Sequence, residues 1–157
     1  MTDAAFSLGG NIGDKAARVR EAAARLSACG ALTHAVLSPL YRTAPWGDTD
    51  QDWFVNACLA GDTALNPPDL LRVCKDIERD MGRIQVRRWG PRLIDIDILY
   101  VGAAPFHAAA LTLPHADMFN RAFVLTPLAD IRPGLVIAGR DISAEAARLG
   151  GEGIARL

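Results

Sequence analysis

The run Leu93-Ile94-Asp95-Ile96-Asp97-Ile98-Leu99-Tyr100-Val101 constrains the fold of this chain more than any other segment. Apolar and acidic residues alternate with a period of two, and the apolar positions are β-branched isoleucines, so the segment is a strand rather than a helix. Successive side chains on a strand point to opposite faces. Ile94, Ile96 and Ile98 therefore enter a core, while Asp95 and Asp97 share the other face, about 7 Å apart along the backbone. Two neighbouring carboxylates repel unless something compensates them. Oxygen donors alone suit a hard cation, and Mg²⁺ commonly takes one or two carboxylates together with substrate phosphates. For Asp-x-Asp in isolation, the solvated polar face of an edge strand is the competing interpretation.

The preceding residues add to the case. Arg83, Arg87, Arg88 and Arg92 lie within the stretch leading to the acids, with Trp89, Gly90 and Pro91 interleaved. Guanidinium forks match pairs of phosphate oxygens, so an acid pair beside an arginine cluster suits a metal–polyphosphate complex. A salt-bridged surface loop is the alternative. A second group is Thr43, Pro45, Trp46, Phe54 and Asn56. Phe54 and Asn56 stand two apart on a strand, so a ring and an amide share a face and can stack on, and hydrogen-bond to, a planar heterocycle. A core phenylalanine with a turn-satisfying asparagine is the plainer option. His115 follows Pro114 in a turn, and Arg121 and Phe123 follow closely.

The remaining elements fall into a recognisable order. Ala4 to Leu8 reads as a strand ending in a turn at Gly9-Gly10-Asn11. Gly9, Gly10 and Gly13 lack phosphate-loop spacing and are read as turn chemistry. Asp14 caps a helix to about Ser27, and Gly30 stops it. Val36 to Tyr41 and Asp52 to Ala60 read as strands. Asn66 and Pro67 start a second helix that carries Leu70, Leu71, Cys74, Ile77 and Met81 on one stripe and closes at Gly82. Beyond 101 come short segments at Leu111–Pro114, a turn or short helix between His115 and Phe123, and Phe123–Leu128. A last helix, 144–149, is capped by Asp141 or Ser143. Strand, helix, strand, strand, helix, strand is the order of an α+β, ferredoxin-like split βαβ core. The sequence thus predicts a single domain, 1–157, with an antiparallel sheet, both helices on one face, and C-terminal additions.

Composition narrows the function. The chain has 157 residues, 22% charged residues and a formal net charge of −1. That balance argues against broad electrostatic capture of nucleic acid. No run of 18 apolar residues exists to span a membrane, and no basic leader precedes an apolar stretch, so the expected location is the cytoplasm. The three cysteines, Cys29, Cys58 and Cys74, form no CxxC pair and are expected to pack as buried thiols.

The motifs Leu8-Gly9-Gly10-Asn11-Ile12-Gly13-Asp14, Tyr41-Arg42-Thr43-Ala44-Pro45, Phe54-Val55-Asn56-Ala57, Glu78 with Gly82-Arg83, Arg88-Trp89-Gly90-Pro91-Arg92-Leu93-Ile94-Asp95-Ile96-Asp97-Ile98, and Leu113-Pro114-His115 with Asn120-Arg121-Ala122-Phe123 run in order through the chain. Together they resemble the 6-hydroxymethyl-7,8-dihydropterin pyrophosphokinase family of folate biosynthesis. The resemblance implies transfer of pyrophosphate from ATP to the pterin hydroxymethyl group by a monomer. It implies that Asp95 and Asp97 hold two Mg²⁺ ions, that Arg83 and Arg92 are the catalytic cations, and that Glu78, Arg88, Trp89, Ile98, Thr112 and His115 lie on the ATP side. Arg121 would support the loop carrying His115. Phe54 and Phe123 would sandwich the pterin, with Asn56 and the backbone of Thr43, Pro45 and Trp46 reading its edge. Segments 9–14, 43–53 and 83–92 would be the mobile elements around the site. The chain departs from the usual family pattern at Gly10, Trp46, Phe54, Ala110 and Ala116.

Overall fold

The computed structural model describes residues 1–44, 52–82, 93–151 and 153–157. The core begins with strand β1 (Thr2–Gly10), helix α1 (Lys15–Ala28) and two short strands, β2 (Thr33–Leu37) and β3 (Tyr41–Thr43). The long strand β4 (Phe54–Thr63), helix α2 (Pro67–Asp80) and strand β5 (Asp95–Val101) complete it. β4 and β5 flank β1 on either side, both antiparallel to it, and β2 and β3 pair with the far edge of β4. This is the predicted split βαβ sheet. β2 and β3 are one strand interrupted at Ser38-Pro39-Leu40 rather than a continuous 36–41 strand, because proline has no N–H for the ladder.

Local chemistry sets the helix ends. The Asp14 carboxylate accepts from the Ala17 amide, and the Asn66 side chain accepts from Asp69 N, with Pro67 opening the helix. Gly82 follows α2 at φ +77°, where a side chain would be strained. α1 and α2 bury Val19, Leu26, Leu70 and Ile77 against Phe6, Leu8, Ile94, Ile96 and Ile98. Each fully buried large side chain contributes about 1.5–3 kcal/mol. The three isoleucines enter this core as the alternation requires.

The additions do more than decorate the sheet. Hairpin strands β6 (Phe106–Ala108) and β7 (Leu111–Leu113) lead through a 3₁₀ turn (Met118–Asn120) to helix α3 (Ala122–Ile131). A two-residue ladder, β8 (Val136–Ile137) with β9 (Arg140–Asp141), precedes helix α4 (Ile142–Leu149) and strand β10 (Ile154–Arg156). Asp141, not Ser143, caps α4. Val124, Leu125 and Leu128 of α3 pack with Ile142 on Ala5, Cys58, Ala60, Leu99 and Tyr100. α1 and α2 thus share one sheet face as expected, and the C-terminal additions cover the other. β10 pairs antiparallel with β3 and becomes the outermost strand on that side.

Two other expectations change. β1 continues through Gly9 and Gly10 instead of turning there. Cys58 and Cys74 are buried, but Cys29 is exposed at the C-cap of α1, where the helix leaves the core. Burial pushes the Cys74 thiol up to about 12 and raises Cys58 further, so both behave as apolar packing groups.

Candidate functional site

Register builds the site. Directly paired residues on neighbouring strands project to the same face. Asp95 pairs with Gly9, Gly9 with Asn56, and Asn56 with Tyr41, giving one row across four strands. The next row is Asp97, Ser7 and Cys58. Phe54 pairs with Thr43, so Phe54, Asn56, Thr43, Asp95 and Asp97 share a face. Neighbouring strands are about 4.8 Å apart, which sets Asn56 roughly 10 Å from Asp95 across Gly9.

Gly9 makes that row possible. A Cβ built on it would stand 2.3 Å from Asn56 Oδ1, so the carboxamide lies over bare backbone. Asn56 Nδ2 donates to Thr43 Oγ1 at 2.7 Å, and both residues are buried. The amide is thereby held in one orientation, with Oδ1 over β1.

Asp95 and Asp97 are half-buried. The residue between them is pinned from outside the sheet: the Ile96 amide donates to Glu78 Oε2 at 2.8 Å. Glu78 is itself buried and takes a second bond from Lys75 Nζ at 3.3 Å. A buried carboxylate is tolerable only with such donors. Among the described residues no group of three or more His, Cys, Asp or Glu side chains converges. Two carboxylate donors are of the kind a hard cation takes alongside phosphate and water.

The third part lies beyond the β5 edge. His115 N donates to Leu99 O at 2.8 Å, and its Nδ1 accepts from Asp117 N at 3.1 Å, leaving the proton of the neutral ring on Nε2. Arg121 pairs with Asp117 at 3.5 Å and lies 5.6 Å from the Phe123 ring centre. Arg121 and His115 are thus linked through Asp117. The first turn of α3 sits on the same sheet face as Asn56, because Cys58 Sγ donates to Val124 O at 3.3 Å; Phe123 precedes that carbonyl. Thr112 is exposed on β7, opposite His107. Ile98 packs its side chain into the α1/α2 core. Alternation from Ile96 turns the Ile98 amide to the outer edge of β5, so backbone is what it can offer a ligand. Pro45, Trp46, Arg83, Arg88, Trp89 and Arg92 lie outside the described residues.

The structure also brings in residues the sequence did not single out. Lys15 is buried, bonds Asp52 Oδ2 at 2.8 Å, and lies 3.6 Å from the centre of the Trp53 ring. Asn11 Nδ2 donates to Asp52 O at 3.2 Å. The lysine ammonium holds the Asp52 carboxyl below the usual range. A lysine in the first turn of a helix opposes the dipole, and α1 has no acid there, which is the one sequence sign of a tertiary partner.

Comparison with known proteins places the chain among its relatives. Residues 5–133 match the family model described as 7,8-dihydro-6-hydroxymethylpterin-pyrophosphokinase. The 2-amino-4-hydroxy-6-hydroxymethyldihydropteridine pyrophosphokinase of Methylorubrum extorquens is 50% identical over 157 residues, covering 100% of this chain and 99% of its own. The Bacillus subtilis enzyme of the same name is 41% identical over 126 residues, 80% of this chain and 75% of the relative. Among solved structures, wild-type HPPK-DHPS of Plasmodium falciparum superposes with a TM-score of 0.77 at 17% identity, over 99% of this chain; the chain spans only 44% of that protein. On the family-model match and the full-length similarity, the chain belongs to the 7,8-dihydro-6-hydroxymethylpterin-pyrophosphokinase family.

Proposed function

We propose that this protein transfers pyrophosphate from ATP to the hydroxymethyl group of 6-hydroxymethyl-7,8-dihydropterin, releasing AMP and the pterin diphosphate. The observation that carries the proposal is the row Asp95–Gly9–Asn56, which sets a carboxylate and an amide held by Thr43 on one face across three strands; we read the first as a cation ligand and the second as a reader of the heterocycle. The hydroxymethyl oxygen attacks the β-phosphorus of ATP. The bond from that phosphorus to the α,β-bridging oxygen breaks, AMP leaves with the bridging oxygen, and the hydroxyl proton passes to water.

Such transfer asks the protein for positioning and charge neutralisation rather than covalent chemistry. Asn56, locked by Thr43, reads the edge of the heterocycle, and Phe54 and Phe123 supply ring surfaces for stacking on it. Asp95 and Asp97 would hold Mg²⁺, two ions in our proposal. When bound, Mg²⁺ neutralises phosphate charge and acidifies the attacking hydroxyl. Glu78 keeps the strand between the acids in place. His115 Nε2–H, with Thr112, the Ile98 backbone, Arg88 and Trp89, is assigned to the nucleotide. Arg83 and Arg92 are assigned to the migrating diphosphate, on sequence grounds. The proposal includes a monomeric, cytoplasmic enzyme; among the described residues no helix is long and apolar enough to cross a membrane.

The test mixes the protein with ATP, Mg²⁺ and 6-hydroxymethyl-7,8-dihydropterin and follows AMP. Pterin-dependent AMP formation that stops on chelation supports the proposal. ATP binding without AMP formation would replace it with a nucleotide-binding regulator on the same scaffold.

A further inference from the structure

The family match ends at residue 133, yet the chain continues into a strand that reaches the substrate side of the sheet. β10 pairs Ile154 with Thr43, Ala155 with Arg42 and Arg156 with Tyr41. The ladder is closed at both ends: Ala44 N donates to Gly153 O at 3.0 Å, and Leu157 N donates to Leu40 O at 3.0 Å. Alternation between those bonds makes Ala155 and Arg42 the hydrogen-bonded pair at its centre.

β3 is only three residues long, and three residues of pairing hold a strand weakly. On its inner side β3 pairs with β4 across Tyr41–Asn56 and Thr43–Phe54. On its outer side β10 is its only partner strand among the described residues. Side chains reinforce the contact. Tyr41 donates to Asp130 of α3, and Arg156 reaches both, with Nε 3.4 Å from the Tyr41 hydroxyl and a terminal nitrogen 3.5 Å from Asp130. β10 therefore ties β3 to α3 as well as to itself.

What β3 delivers is Thr43, whose hydroxyl fixes the Asn56 carboxamide. We propose that β10 is a positioning element for recognition of the heterocycle: by completing the ladder on the outer side of β3, it holds the Thr43 hydroxyl on Asn56 and so sets affinity for the pterin, while nucleotide binding and the chemical step go on without it. The inference rests on the pterin reading of the Thr43–Asn56 face. The acids, Glu78 and His115 lie on or beyond β5, at the opposite end of the strand order from β10, so damage to β10 should divide the two substrates.

The variant Ala155→Pro removes the central ladder donor, and Ala155→Val keeps it with a better strand former. Expected for Ala155→Pro is a rise of about tenfold or more in KM for the pterin and in its Kd measured with a non-hydrolysable ATP analogue and Mg²⁺. KM for ATP and kcat at saturating pterin should stay within about twofold. Ala155→Val should match the parent. If KM for both substrates rises together, or Tm falls with pterin KM unchanged, β10 is merely structural and the proposal fails. Should Ala155→Pro not fold, Arg156→Ala decides by the same ratio of KM changes, an unchanged ratio overturning the proposal. Absence of pterin-dependent AMP formation in the parent protein would instead remove the pterin reading itself.

Discussion

The Asn56 carboxamide occupies the space that a side chain on Gly9 would need, with Oδ1 2.3 Å from the missing Cβ. A single absent methyl group thus lets an amide on β4 lie across β1 toward the acids of β5. Gly9→Ala should leave the strand backbone acceptable but drive the amide off Thr43 Oγ1. The expected result is a folded protein destabilised by about 1–3 kcal/mol, with pterin affinity lost. Denaturant unfolding and pterin titration check this, and unchanged affinity would contradict it.

Glu78 offers a different kind of test because its Oε2 accepts from a backbone amide between the two acids. Glu78→Ala leaves the buried Ile96 amide without its carboxylate acceptor, at a cost of about 1–3 kcal/mol. Glu78→Gln keeps an acceptor oxygen and should recover most of that stability. In Glu78→Ala the Mg²⁺ concentration for half-maximal turnover should also rise, since the strand between Asp95 and Asp97 is no longer pinned. An unchanged Mg²⁺ requirement would confine Glu78 to stability.

For the acid pair itself, Asp95→Asn and Asp97→Asn keep size and shape while removing charge. Each should lower kcat by about 10²–10³ or more without altering Tm appreciably, as expected when a group stabilising transition-state charge is lost. Normal Mg²⁺-dependent turnover in either variant would remove the metal assignment.

Acid stability carries its own signature at α4. Hydrogen bonds from Arg140, then Arg148, hold the Glu145 carboxyl down to about 2 from the ordinary 4.5. A depressed folded value means the unfolded chain takes up the proton first as pH falls. The contribution is therefore fully present above about pH 4.5 and disappears as pH falls toward 2. The Tm difference between the parent and Glu145→Gln should be constant near neutrality and shrink through that window. A difference that persists at pH 2 would contradict the ion-pair account.

Residue chemistry made part of this architecture readable in advance. Asp14 and Asn66 announced two helix starts, and the Ile–Asp alternation announced a strand with one core face. The acids and Phe54 with Asn56 followed from the same period of two. Strands of three residues, such as β6 and β10, carry no measurable period, so only the folded sheet reveals them. Gly9 and Gly10 read as a turn because glycine permits one; pairing with Asn56 on one side and Asp95 on the other, both remote in sequence, is what keeps Gly9 extended. Lys15 and Trp53 were missed because their contact joins segments 38 positions apart.

The second sheet face has a consequence for biosynthesis. Ala5, Cys58, Ala60, Leu99 and Tyr100 are all in place once residue 101 has been made, but the helical cover over them comes from Val124 to Ile142. A nascent chain paused between those points would carry strands β1 to β5 with one greasy side bare to solvent. Only when both α3 and α4 have emerged is that side of the sheet covered.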